Sequence, residues 1–174
     1  MRHYISALFS ICSICFIGCA YGEVPSKGVH YNVAVSPALT AAEQASVIYA
    51  FDAWGAASDN RIKFSIMISD PVDDGKTIFF GRLSDEESRR ETIADHGGQV
   101  IGRAQGMTAK ILAGGKPQYI RAVAIHEIGH VLGLEHCNDM PRCADSYMQS
   151  VENYRTGPIK SVDITALENV RPDM

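Results

Sequence analysis

The amino-acid sequence predicts one α+β domain that follows a short export signal. Its 174 residues, 46% hydrophobic and 21% charged, suit a single globular core, and a second full domain would not fit. Several segments alternate between apolar and polar residues with the period of two that is typical of strands. Longer segments place apolar residues at the spacing of amphipathic helices.

The N-terminal residues have the order of a secretory signal. Arg2 supplies a positive charge, residues 5–17 are uncharged and largely apolar, and small residues follow. The apolar stretch is too short to cross ~30 Å of hydrocarbon comfortably, so a membrane span is disfavoured. We therefore expect residues 1–19 to be a signal peptide and residues 20–174 to be the single folded domain.

The cleavage site has two interpretations. Residues 16–19, FIGC, resemble a bacterial lipoprotein signal, in which Cys19 becomes the acylated first residue; cleavage after Ala20 is the alternative. The protein is then either a lipoprotein of the bacterial cell envelope or outer surface, anchored through Cys19, or a secreted protein. Either cleavage leaves Cys137 and Cys143, and a pair in an exported protein predicts a disulfide, with free thiols as the alternative.

Charge limits the partners. The chain has 20 acidic and 16 basic residues and a net charge of −4. Nothing in this balance favours nucleic acid. We also expect the chain to be a monomer.

Four segments predict strands. Residues 29–35, 61–69 and 76–83 are rich in β-branched or aromatic residues and alternate. Residues 97–112 are punctuated by glycine and predict an edge strand, a turn near Gly106 and a return strand. An edge strand has unpaired backbone groups, which could bind an extended peptide substrate, along residues 100–104, through main-chain hydrogen bonds.

Thr40 and Glu43 predict a capping box at the start of the first helix. The apolar members of that helix indicate a core helix, and we interpret Trp54 as a core residue. The residues that helical spacing brings together there are Ala45, Ile48, Tyr49, Phe51, Asp52 and Trp54. Charged residues 84–92 predict a surface loop or a short helix.

A second helix begins after Pro117 and ends at Gly133, and a last helix over residues 161–170 has Ser161 as its candidate N-cap. The acidic turn at residues 69–75 carries oxygen ligands that suit calcium. No spaced ligand series accompanies the turn, so a solvated turn is the prediction and a calcium site is unsupported.

The run HEIGHVLGLEH, residues 126–136, contains the candidate metal-binding and catalytic residues. His126 and His130 are four residues apart, so one helix face presents both imidazoles to one metal ion. Gly133 can adopt the left-handed conformation that ends a helix, which lets His136 return as a third ligand. Glu127 is expected to hold and deprotonate the zinc-bound water, which is the general-base role of this spacing.

These residues resemble the metzincin zinc motif. Metzincins also have a methionine below the metal, and Met148 is the natural candidate, preferred over Met140. Within that group the order of elements is similar to that of the matrixins. The resemblance implies a twisted mixed sheet with one antiparallel edge strand, packed on about three helices, and an active-site cleft beside that edge.

The departures from the family patterns are also informative. Some metzincins add a tyrosine ligand two residues after the methionine, but Ser150 occupies that position and Tyr147 precedes the methionine. Animal matrixins hold a second zinc with further histidines. Here His30 and His96 are interpreted as ordinary strand or surface histidines, so one catalytic Zn²⁺ is expected.

The sequence thus predicts an exported zinc-dependent endopeptidase with Glu127 as the catalytic residue and His126, His130 and His136 as metal ligands. Two other functions stay open. One is a surface binding or structural protein that zinc stabilises, and the other is a zinc amidase that acts on cell-wall links.

Overall fold

The computed structural model describes residues 28–94, 101–139, 141–149 and 157–174. The expected signal peptide, with Cys19 and Ala20, lies outside these residues, as do His96, Met140 and Ser150. No helix within the described ranges has the length and apolar character that crossing a membrane requires.

The described strands form one five-stranded mixed sheet. The strands are β1 (Val29–Val35), β2 (Ile62–Ile68), β3 (Ile78–Leu83), β4 (Gly102–Gln105) and β5 (Thr108–Leu112), in the spatial order β2-β1-β3-β5-β4. All neighbours are parallel except β4, which pairs antiparallel with β5 and lies at one edge. The predicted α+β class with one antiparallel edge strand is confirmed. Gly106, with φ of 57°, forms the predicted turn between β4 and β5.

In the described part of the chain, four helices accompany the sheet: α1 (Ala41–Ala57), α2 (Asp85–Ala94), α3 (Pro117–Val131) and α4 (Ser161–Val170). Of the two interpretations of residues 84–92, the short helix is therefore correct. Helices α1 and α3 pack against each other, and α3 also contacts β4 and β5. The helix with the metal motif thus lies beside the antiparallel edge.

The capping box of α1 is formed as predicted. The backbone N–H of Thr40 donates to Oε2 of Glu43 at 2.8 Å, and the N–H of Glu43 donates to Oγ1 of Thr40 at 3.4 Å. The other carboxylate oxygen of Glu43 accepts from the N–H of Gly114 at 2.7 Å. Glu43 therefore joins the start of α1 to the loop that leads into α3.

The prediction of Ser161 as N-cap is wrong by one residue. Ser161 is the first residue of α4 and Lys160 is its N-cap. Asp163 rather than a serine hydroxyl satisfies the free N–H at this end, because its Oδ2 accepts from the N–H of Lys160 at 3.4 Å.

The core lies between the sheet and helices α1 and α3. Trp54 is fully buried, as predicted, and its indole Nε1 donates to the carbonyl of Ile125 at 2.9 Å. This bond fixes the backbone of α3 one residue before His126. The apolar face of α3 also closes the core, through Ile125, Ile128, Leu132 and Leu134.

Candidate metal centre

Three imidazole nitrogens converge at the C-terminal end of α3. The Nε2 atom of His130 lies 3.0 Å from that of His126 and 3.1 Å from that of His136, and the remaining pair is 3.2 Å apart. Among the described residues these three form the only cluster of His, Cys, Asp or Glu with metal-ligand geometry. The spacing of the run therefore brings together the residues that it predicted.

Gly133 makes the return of His136 possible. Its φ is 100°, a value that only glycine adopts readily. The N–H of Gly133 donates to the carbonyl of His130, and the N–H of Leu134 donates to that of Gly129, both at 2.9 Å. These two bonds close the last turn of the helix and reverse the chain.

Backbone carbonyls orient two of the rings. Nδ1 of His126 lies 2.6 Å from the carbonyl oxygen of Tyr147, and Nδ1 of His130 lies 2.8 Å from that of Leu134. Because a carbonyl oxygen only accepts, each Nδ1 must carry the proton. The Nε2 lone pairs then point to the common centre, which is the arrangement that metal-binding histidines use.

Desolvation favours the neutral form of two of the imidazoles. Desolvation lowers the pKa of His126 to about 4, against an opposing contribution from its bond to Tyr147, and desolvation also lowers the pKa of His136. A neutral imidazole is the form that binds a metal. His126 and His136 therefore need to release little or no proton near neutral pH when a cation binds.

The distances between the three Nε2 atoms fit a bound Zn²⁺ ion. Zinc–nitrogen bonds of ~2.0–2.1 Å at tetrahedral angles place two ligand nitrogens roughly 3.3 Å apart. The observed separations of 3.0–3.2 Å are close to that value. An all-nitrogen set of three leaves one tetrahedral position for water or substrate, which is typical of catalytic zinc sites.

Glu127 lies between α3 and the edge strand. It is only 6% exposed, and burial raises the pKa of its carboxyl to about 8; a bound dication would oppose this shift. The carboxylate lies so close to Gly102 of β4 that a Cβ at that position would overlap Oε1 of Glu127 and the side chain of Val123. The absence of a side chain at Gly102 thus provides the space for this carboxylate.

Met148, the candidate methionine of the motif, packs against the metal-binding turn of α3. It is 2% exposed, and its sulfur packs so closely on Gly129 that a Cβ there would overlap it. Gly129 lies between Glu127 and His130 on the helix, so the methionine supports the metal-binding turn of α3 directly.

The loop between His136 and α4 is fixed at several points. The predicted disulfide joins Cys137 to Cys143, and the N–H of Cys137 donates to the carbonyl of Met148 at 2.6 Å. Asp163 of α4 accepts from the hydroxyl of Ser146 at 2.5 Å and from the N–H of Tyr147 at 3.2 Å. The sequence interpretation missed Asp163, for which the only signal was an acidic residue in the first turn of a short helix.

The other candidate residues lie elsewhere. His30 of β1 contacts Oγ of Ser65 at 2.8 Å and is a strand histidine, as predicted. The hydroxyl of Tyr147 donates to the carbonyl of Gly157 at 2.8 Å. In the acidic turn, both carboxylate oxygens of Asp74 accept bonds from Lys76 or Thr77, which suits the predicted solvated turn.

The fold and this centre together define a zinc-dependent peptidase of the metzincin class. A model of the Matrixin family matches residues 25–170, most of the chain, and the chain belongs to this family. A similar solved structure is the crystal structure of archaemetzincin from Methanopyrus kandleri, at 14% identity and a TM-score of 0.48. That match covers 83% of this chain and 95% of the other. A search of curated protein sequences gives no match.

Proposed function

We propose that the protein is an exported endopeptidase in which His126, His130 and His136 hold one Zn²⁺ and Glu127 is the general base. The observation that carries the proposal is the contact between the Glu127 carboxylate and Gly102. This contact supports the proposal because it brings a carboxylate of the metal-binding helix next to the strand edge, where a peptide can bind.

The hydrogen-bond pattern indicates how β4 would receive a peptide. The N–H of Leu112 donates to the carbonyl of Ile101 at 2.8 Å, so residue 101 bonds inward to β5. Because antiparallel pairs alternate, Gly102 and Ala104 direct their N–H and C=O groups away from β5. An extended substrate can pair with these groups and pass beside Glu127.

The residues then perform the chemistry in order. When bound, Zn²⁺ supplies Lewis acidity, which acidifies water and polarises a peptide carbonyl. The Glu127 carboxylate accepts a proton from the attacking water. It then delivers that proton to the leaving amine nitrogen, as the same group acts first as base and then as acid. Tyr147 and Leu134 keep the imidazoles oriented through their backbone carbonyls.

Glu127→Ala tests the proposal. Positioned acid–base catalysis contributes roughly 10²–10⁴-fold, so we expect kcat/KM for a peptide library to fall by at least a hundredfold while the zinc content stays near one per chain. Cleavage is read by mass spectrometry and zinc by elemental analysis. If the variant cleaves like the parent protein, the assigned role of Glu127 is wrong.

Chelation separates a catalytic site from a structural one. The core between the sheet and helices α1 and α3 does not include the imidazoles, so metal removal should abolish cleavage and leave the far-UV circular dichroism largely unchanged. A zinc-stabilised structural protein would unfold instead. Parallel incubation with cell-wall fragments separates the peptidase from an amidase.

Export is part of the proposal and is supported by the Cys137–Cys143 disulfide, which is favoured in oxidising compartments. Residues 1–18 would be removed if Cys19 is acylated, and residues 1–20 if cleavage follows Ala20. The mass of the mature N-terminal peptide distinguishes an acylated Cys19 from cleavage after Ala20. A mature protein that retains residues 1–18 would contradict export by this signal.

A further inference from the structure

Strand β2 forms the edge of the described sheet that is opposite to β4. Within the residues that the structure describes, β1 is the only strand that pairs with it. The N–H of Val29 donates to the carbonyl of Arg61 at 2.8 Å, and the N–H of Ser69 donates to that of Val35 at 3.0 Å. The odd-numbered residues of this segment therefore bond to β1. The even-numbered residues of β2 direct their N–H and C=O groups away from the sheet.

The exposed side chains at this edge are largely apolar. Met67 and Ile68 are 49% and 47% exposed, and Val72 in the following turn is 46% exposed. These are three of the five large hydrophobic side chains that are exposed in the described part of the chain. Natural edge strands are usually protected by charge, proline or a bulge, and the only charged residue within β2 is Lys63. Such an edge is suited to pair with another strand.

The charges along this edge complement one another when two copies run antiparallel. Between residues 60 and 70 the charged residues are Arg61 and Lys63 near the start and Asp70 at the end. Antiparallel pairing places the basic start of one strand beside the acidic end of the other. Parallel pairing would place lysine beside lysine, which is unfavourable. The charge pattern therefore favours a second copy of this chain in the antiparallel direction.

A register centred on Ser65 also satisfies the backbone. It places Phe64 opposite Ile66 of the second copy, and Ile62 opposite Ile68 of the second copy. All four residues direct their backbone groups outward, so each pair exchanges two hydrogen bonds. An aromatic residue opposite a β-branched residue is a favourable cross-strand pair. The half-exposed Ile68 would then lie beside the buried Ile62 of the other copy.

The same register suits the outer face of the sheet. Ser65 would face its own copy in a non-hydrogen-bonded pair, in which the Cα atoms approach to ~4.5 Å and small side chains fit. On either side of this pair, Lys63 of one copy would face the uncharged Met67 of the other. No like charges are therefore opposed along the paired strands.

We propose that the protein forms a homodimer in which the two β2 strands pair antiparallel about a twofold axis at Ser65. The two sheets then become one continuous sheet. Because β4 is the opposite edge, both metal centres lie at its outer ends and stay accessible. The inference goes beyond the proposed function and does not depend on it, and it replaces the monomer expected from the sequence.

Sedimentation equilibrium of the mature, zinc-loaded chain tests the dimer. The chain carries Cys19→Ser, so that neither a lipid nor an intermolecular disulfide joins two copies. Interfaces below ~1,200 Å² are typical of weak complexes, and a single strand pair is a small interface. We therefore expect a micromolar Kd, measured over concentrations from roughly 1 μM to 1 mM.

Met67→Lys and Val170→Lys form a matched pair of variants. Both side chains are about half exposed, but Val170 is on α4, where it lies near Gly133 rather than at the β2 edge. Met67→Lys would oppose two lysine charges, and symmetry makes this happen twice, so Kd should rise by roughly tenfold. Val170→Lys should leave Kd unchanged. Circular dichroism and zinc content first show that each variant is folded.

A double variant tests the register. Lys63→Glu combined with Met67→Lys places opposite charges across the two strands and should return Kd to that of the parent protein. A parent protein that stays monomeric up to ~1 mM overturns the proposal, as it would if another part of the chain covers β2. A dimer that Met67→Lys leaves unchanged, or a weakening that the double variant does not reverse, overturns this interface. None of these measurements reads peptide cleavage, so they are independent of the proposed activity.

Discussion

The carboxylate of Glu127 lies against the Cα of Gly102, with no room for a side chain between them. One residue belongs to the metal-binding helix and the other to the edge strand. This contact means that the proposed proton acceptor and the proposed peptide-binding backbone are positioned by the same packing, so a change at Gly102 should affect catalysis through Glu127.

Gly102→Val should therefore lower activity more than stability. Its Cβ would displace the carboxylate, which is the end of a flexible side chain and can move at small cost to the fold. We expect kcat/KM to fall at least tenfold, mostly in kcat, with one zinc retained. Gln105→Val is the control, since residue 105 faces away from Glu127 on the same strand. Equal losses in both variants would contradict the role of this contact.

Gly129→Ala should destabilise the domain although alanine is the better helix former. The helix propensity gain is about 1 kcal/mol. The added Cβ, however, would overlap the sulfur of Met148 and lie 3.2 Å from Cζ2 of Trp54, and both side chains are buried. Overpacking of this kind typically costs about 1–3 kcal/mol. We expect a net loss of stability on thermal unfolding.

Met148→Ala provides the control for that variant. It removes the atoms that the new Cβ would overlap, at the cost of a cavity, so the penalty of Gly129→Ala should shrink or reverse in this background. A double-mutant cycle measures the difference as a coupling free energy. Strictly additive effects would show that the methionine does not support this turn.

The disulfide should matter for the third ligand. Cys137 follows His136 directly, and its bond to Cys143 spans 6 residues. Closing so short a loop is worth about 2 kcal/mol in the chain-entropy account. The double variant Cys137→Ser/Cys143→Ser should lose stability of that order and bind zinc more weakly, as measured by competition with a chelator. Unchanged zinc affinity would show that the backbone hydrogen bond from Cys137 to Met148 suffices to hold the loop.

Local sequence determined much of what could be predicted. Spacing alone indicates features whose residues lie within one or two helical turns of each other. These features are the capping box of Thr40 and Glu43, the helix end at Gly133 and the pair His126 and His130. The return of His136 is equally local, because a glycine with positive φ directs it.

Contacts between distant segments could not be predicted in this way. Asp163 reaches Ser146 across 17 residues, and nothing in its own helix indicates that partner. In α1 the apolar residues occur on several sides, so spacing did not identify the buried face. Ala45 and Tyr49 are exposed and Val47 and Ala50 are buried, because packing against α3 decides the orientation. One such contact between α1 and α3 involves Tyr49, because the guanidinium of Arg121 lies over its exposed ring at 4.6 Å from the ring centre.

The ion pair between Glu87 and Lys110 should make the stability of the domain depend on pH in the acidic range. The bond to Lys110, and next those to Ser84, lower the pKa of Glu87 from 4.5 to about 2. A carboxyl whose pKa is lowered by folding contributes its full stabilisation when the pH is above the pKa that it has in the unfolded chain. That contribution is lost as the pH falls through about 4.5 toward 2. The pair is partly exposed, so the effect should be modest.

The comparison of metal-free parent protein with Glu87→Gln tests this dependence. The parent should have the higher Tm near pH 7, and the difference should shrink as the pH falls below about 4.5, because only the parent loses an ionised group. In a Lys110→Met background the same substitution should have a smaller effect that changes less with pH. A difference in Tm that stays constant from pH 7 to pH 3 would mean that this ion pair does not join α2 to the sheet energetically.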